Sequence, residues 1–141
     1  MLPRSVSAAF GIRVANAGEL TAAVTDAAGH GASALNVLGS AMLHLNRRVI
    51  MDQATALRLP AIFQWPETAE EGGLLGYGPG FVELFRQRAA MVAKILRGTK
   101  PSDLPVEQPS TFKLVVNLKS AKAIGLTIPE SFLARADEVI E

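Results

Sequence analysis

Two short apolar runs, Ala34-Leu35-Asn36-Val37-Leu38 and Pro60-Ala61-Ile62-Phe63, bracket a stretch of helical periodicity from about Leu43 to Arg58. No other feature constrains the fold as strongly. Four or five apolar residues closed by turn signals read as a buried strand, and Leu43, Ile50, Ala54 and Leu57 fall on one helix face. The same alternation begins earlier in the chain. Ile12 to Ala15 alternates and predicts a strand, and Asn16 followed by Glu19 is a capping-box variant. Leu20, Ala23, Val24 and Ala27 then repeat at helical spacing until Gly29-His30-Gly31. Strands and helices joined by such short links imply parallel strands with right-handed crossovers. The expected class is α/β, a parallel sheet with flanking helices.

The stretch from Leu59 to Gly80 carries the functional interest. Its strand ends in Gln64-Trp65-Pro66, with the only Trp, and five glycines follow between Gly72 and Gly80 around the only Tyr, Tyr77. A buried strand that ends in aromatics and then a flexible crossing segment is what a ligand cleft needs. Beyond it lies the clearest helix, with Pro79 suited to its first position. Phe81, Leu84, Phe85, Met91, Val92, Ile95 and Leu96 form its apolar stripe, and Gly98 ends it. Thr99 to Ser110 holds three prolines and reads as an extended linker. Phe112 to Val116 predicts another strand, and Asn117 caps a short helix up to Ile124-Gly125. A last amphipathic helix starts at Thr127, with Phe132, Leu133, Ala136 and Ile140 on its face. At the other end of the chain, Ser7 to Phe10 reads as the end of a helix stopped by Gly11.

At 141 residues the chain is the size of one domain, and 49% hydrophobic against 19% charged residues describes a folded one. A net charge of +1 argues against nucleic acid as a partner. Without cysteine there is neither a disulfide framework nor a thiolate metal site. His30 and His44 lie far apart and lack carboxylates at metal spacing, so no metal is expected. His30 reads as a loop residue, and His44 as a surface helix residue or a cleft lining. Gly39-Ser40-Ala41 is not a nucleophile elbow. Gly76 to Gly80 lacks the Gly-Lys-Ser/Thr ending of a phosphate loop. Glu67, Glu70 and Glu71 read as a solvated turn. Nothing supports an enzyme, and no cofactor is expected. No run approaches the ~20 apolar residues of a membrane span. Met1 to Ser5 lacks the basic and apolar regions of an export signal.

Several segments resemble one family. Leu59 to Ile62, Gly72-Gly73-Leu74-Leu75-Gly76-Tyr77-Gly78-Pro79, Ile95 to Pro109, Phe112 to Pro129 and Leu133 to Ile140 are similar to the substrate-binding proteins of bacterial ABC transporters, in the branch associated with tryptophan or tyrosine uptake. The motifs of the C-terminal half are specific, whereas the first fifty residues match only in pattern. Members of the family have a signal peptide and two α/β lobes joined by a hinge, and they close on a small solute. The resemblance covers only their C-terminal part and therefore implies a single incomplete α/β unit over 1–141. Residues 11–66 and 112–141 would belong to the second lobe, 72–80 to the hinge crossing, and the helix 81–98 to the first lobe. The missing parts would include the signal, the first lobe and the opening strand of the second.

The same resemblance implies a periplasmic solute-binding component with an ABC permease as partner; a chain without a signal would otherwise stay cytoplasmic. In open parallel sheets the ligand sits beyond the carboxyl ends of the strands. The expected ligand-binding residues are Ser40, Met42, Gln64, Trp65, Tyr77 and Gly78, with Gly39, Ala41 and Pro66 beside them. Ser40 and Gln64 offer hydrogen bonds to a small amino-acid-like solute. Trp65 and Tyr77 either stack on a planar ligand or pack against the long helix. Family members often carry an acid where Ser40 and Gly80 stand, a departure that bears against amino-acid specificity. Half a cleft encloses a ligand poorly, and the apolar stripe from Phe81 to Leu96 would lack its partner lobe, so a homodimer is expected. Two other functions fit the same pattern: a ligand-sensing regulatory domain, and a standalone α/β assembly protein that binds no ligand.

Overall fold

The computed structural model describes residues 9–141. Five strands form one sheet in the order β1-β2-β3-β4-β5: β1 Leu35–Val37, β2 Ala61–Phe63, β3 Leu75–Gly78, β4 Lys113–Asn117 and β5 Glu138–Ile140. Neighbouring strands run parallel except β3 and β4, which pair antiparallel with Gly76 opposite Val115 and Tyr77 opposite Leu114. The helices are α1 Leu20–Gly29, α2 Ala41–Leu45, α3 Arg47–Ala56, α4 Glu67–Glu70, α5 Phe81–Leu96, α6 Leu118–Ala123 and α7 Glu130–Leu133. The expected α/β class, a largely parallel sheet with flanking helices, is what the chain forms.

The core follows the periodicity. Leu20 and Val24 of α1 meet Ile50, Met51 and Ala54 of α3 over Ala61 and Phe63 of β2. A second cluster gathers Leu74, Ala121 and Ile124, joining the approach to β3 with α6. Buried polar groups tie these parts together. Asn117 at the end of β4 accepts from the Ser120 N–H at 3.1 Å, the expected cap of α6, and donates to the Ala69 carbonyl at 2.8 Å. The reciprocal cap at the start of the chain forms as well: Asn16 accepts from the Gly18 N–H and Glu19 from the Ala15 N–H, each at 2.9 Å.

Four local expectations give way to tertiary structure. Ile12 to Ala15 makes no strand. The helix expected from Leu43 to Arg58 is two helices, α2 and α3, broken at Asn46. The Asn46 side chain donates to the Met42 carbonyl at 2.9 Å and competes there with its own backbone N–H, which reaches the same oxygen at 3.2 Å. The glycine-rich segment is not simply a flexible crossing, because residues 75–78 are strand β3 inside the sheet. The last helix stops at Leu133, and Glu138–Ile140 is β5. Asp137 makes that switch: its N–H donates to the Leu114 carbonyl at 2.9 Å while its carboxylate accepts from the Leu114 N–H at 2.7 Å. Two bonds to β4 outweigh the helical spacing of Ala136 and Ile140. The helix end expected at Ser7 to Phe10 lies partly outside the described residues, and Ala9 and Phe10 are irregular.

Candidate functional site

The carboxyl ends of β1 and β2 open onto a shallow depression. Leu38, Ser40 and His44 line it from the β1 side, and Gln64 and Trp65 from the β2 side, with Arg47 and Thr68 below. Its cavity is about 10 Å³, room for little more than a water molecule. Ser40 flanks α2, exposed and making no capping bond. Met42 points inward and packs against the core cluster. Gln64 is exposed, and its side chain lies directly over Gly39, where any Cβ would collide with the amide.

Trp65 sits in an aromatic group. Its indole stacks on the ring of Phe81, the first residue of α5, with centroids 4.4 Å apart and planes 21° from parallel. His44 stands edge-on to Trp65 at 6.2 Å and tilts over Phe81 at 5.0 Å. Among the two roles open to Trp65, packing against the long helix is therefore realised.

Tyr77 stands elsewhere. The loop from Gln64 to Pro66 crosses one face of β3 so closely that a Cβ at Gly76 would lie 2.6 Å from the Trp65 carbonyl oxygen. A Cβ at Gly78 would strike the Gln64 carbonyl. Successive strand residues point to opposite faces, so Tyr77 projects away from that loop. Its ring pairs with Phe112 at 5.9 Å and is 52% exposed. The structure thus gathers Ser40, Gln64 and Trp65 with His44 around one depression, sets Met42 and Gly78 behind it, and leaves Tyr77 on the other face of β3.

Glu67 and Glu71 have partners that the expected solvated turn did not include. Glu67 Oε1 accepts from the Phe81 N–H at 2.7 Å, and its Oε2 is buried without a hydrogen-bond partner. A carboxylate at that place is stabilised by the positive end of α5. The bond spans fourteen residues, so no local capping pattern announces it. Glu71 accepts from two nitrogens of Arg47, which also donates to the His44 carbonyl at 2.9 Å. The hydrogen bond to Arg47 holds the Glu71 carboxyl below the usual carboxylate range, and the same bond raises the Arg47 guanidinium. Arg47 thereby braces the lining of the depression. Among the described residues no three His, Cys, Asp or Glu side chains converge as a metal site.

A family model for ABC transporter substrate binding proteins matches residues 8–140. The chain belongs to that family. Its fold is similar to an ABC domain from Streptococcus pneumonia in complex with L-Trp, at 29% identity and a TM-score of 0.82; the match covers 92% of this chain and 43% of that one. It is also similar to a conserved domain protein from Vibrio cholerae, at 25% identity and a TM-score of 0.82, over 89% of this chain and 42% of that one. A ligand-free, open substrate binding protein with adhesive properties from Clostridium difficile shares the fold at 23% identity and a TM-score of 0.59, over 90% of this chain and 42% of that one. The chain thus spans less than half the length of these solved relatives. Among curated proteins, none matches it.

Proposed function

We propose that this chain carries the second-lobe part of a two-lobed solute-binding component of an ABC transporter. It holds a small, flat, amino-acid-like solute at the carboxyl ends of β1 and β2 and performs no catalysis. The observation that carries this reading is the depression itself. Ser40, Gln64 and Trp65 converge on it from two adjacent strand ends, in a family of substrate-binding proteins, and a similar structure holds L-Trp. Ser40 and Gln64 supply hydrogen bonds, Trp65 and His44 supply ring surface, and Met42 supplies an apolar backing. Tyr77 and Gly78, expected beside the solute, are left out of this site, because Tyr77 faces Phe112 on the other side of β3. A permease is the downstream partner, and the site of action is the periplasm. No helix among the described residues is long and apolar enough to cross a membrane.

The assembly reading has one observation in its favour. No residue of α5 is buried, and Val82, Phe85, Val92 and Leu96 are each more than half exposed. Two copies that bury this stripe against each other form a homodimer. Solute capture and dimerisation are compatible, because the second copy would supply the enclosing surface that the open depression lacks.

Calorimetry with L-tryptophan, and with L-phenylalanine as a second probe, tests the solute reading. A cavity this open encloses little of a ligand that a closed site would bury by about 70–90%. The expected affinity is therefore weak, roughly 0.1–1 mM. Heats indistinguishable from dilution with both probes at several millimolar would remove solute binding and leave the assembly reading.

A further inference from the structure

Phe81 is touched from three elements at once. The indole of Trp65, in the loop after β2, lies flat on its ring at 4.4 Å. The imidazole of His44, in α2 after β1, tilts over the same ring at 5.0 Å. Glu67 of α4 accepts its backbone N–H at 2.7 Å. No residue of α5 is buried, and its other polar ties, Gln87 to Glu107 at 2.9 Å and Lys94 to Glu107 at 3.9 Å, run to the linker that follows it. The contacts of this sixteen-residue helix with the strand-end loops are thus concentrated on its first residue. The two loops that hold it are those bordering the depression.

We propose that Phe81 is a positioning residue, a clasp through which the loops after β1 and β2 set the orientation of α5. The inference deepens the solute reading, since a ligand arriving beside Trp65 and His44 must press on the residues that grip the helix. The mechanism is local. An aromatic ring with a second ring flat on it and a third tilted over it has little freedom to slide. The Glu67 bond fixes the backbone to which that ring is attached. A shift of either loop moves Phe81, and Phe81 moves the helix as a rigid body, because the other polar contacts of α5, Gln87 and Lys94 to Glu107, run to its own trailing linker.

Hydrogen exchange of the 141-residue chain tests this without any solute, so its failure is separable from failure of the solute reading. Trp65→Ala and Phe81→Leu should each speed exchange in the first two turns of α5 by roughly two- to tenfold, the range set by one aromatic pair. The Val115 and Val116 amides of β4 should stay unchanged and report that the fold is intact. Phe81→Tyr keeps the flat ring and should exchange like the unaltered protein. The Trp65→Ala, Phe81→Leu double substitution should add little beyond either single change, since both break the same contact. If Trp65→Ala unfolds the chain, Trp65→Phe replaces it and should give a smaller change in the same turns. Unchanged exchange in α5 for the folded Trp65 and Phe81→Leu variants overturns the clasp. So does an additive double substitution.

Discussion

At the scale of single residues, Asn117 shows how one buried amide holds several elements. It is 4% exposed, caps α6 and ties that helix to the Ala69 carbonyl of α4, while its own N–H donates to the Leu74 carbonyl at 2.9 Å. Asn117→Ala leaves the Ser120 N–H without its cap and removes one of two donors to the Ala69 carbonyl, which keeps the Gly72 N–H at 3.2 Å. Leaving a polar group unsatisfied costs about 1–3 kcal/mol, so a loss of roughly 1–3 kcal/mol is expected in urea unfolding. A loss below about 0.5 kcal/mol would mean that water replaces the side chain. The sequence marked Asn117 as a cap because that signal is local: the acceptor and the Ser120 N–H are three residues apart. It gave no sign of the bond to Ala69, forty-eight residues away. Glu67 and Arg47 went unread for the same reason.

At the scale of elements, β3 is the instructive case. Its sequence, Leu75-Gly76-Tyr77-Gly78, has the composition of a loop, and glycine weakens a strand in isolation. The glycines are there because another backbone lies on top of them. The loop carrying Gln64, Trp65 and Pro66 crosses the face from which Gly76 and Gly78 would otherwise project side chains. Gly76→Ala forces a methyl group to 2.6 Å from the Trp65 carbonyl and 2.7 Å from the Pro66 Cα, both backbone atoms that cannot turn aside. The expected cost is about 1–3 kcal/mol, as for other overpacked sites, with a changed Trp65 emission because the loop must lift. A variant of unaltered stability and emission would show that the loop is looser than this. β5 teaches the converse. Apolar spacing suited to a helix became a strand once Asp137 found both polar groups of Leu114 on β4.

At the scale of the whole molecule, the open question is what covers α5. With Phe85 61% and Leu96 82% exposed, the proposed homodimer predicts a light-scattering mass of twice 14.9 kDa at micromolar concentration. Phe85→Glu should return it to a monomer with little change in thermal stability, since that side chain contributes little to the protomer's core. A monomeric unaltered chain at tens of micromolar sinks the dimer. Pro79 was expected at the first position of α5, which starts at Phe81 instead. The sequence by itself determined the α/β class, the strands β1, β2 and β4, the helices α1 and α5, and the Asn117 cap of α6. Each of those rests on periodicity or on bonds spanning a few residues. It also determined the family, through motifs concentrated in the C-terminal half. Only the tertiary structure decided which strands are neighbours and that β4 runs against β3. It also decided that Trp65 and Tyr77 part company across β3, and that Trp65, His44 and Glu67 meet on Phe81. Those are contacts between residues distant in the chain. They exist only once the sheet has brought its strand ends together, and no local pattern encodes them.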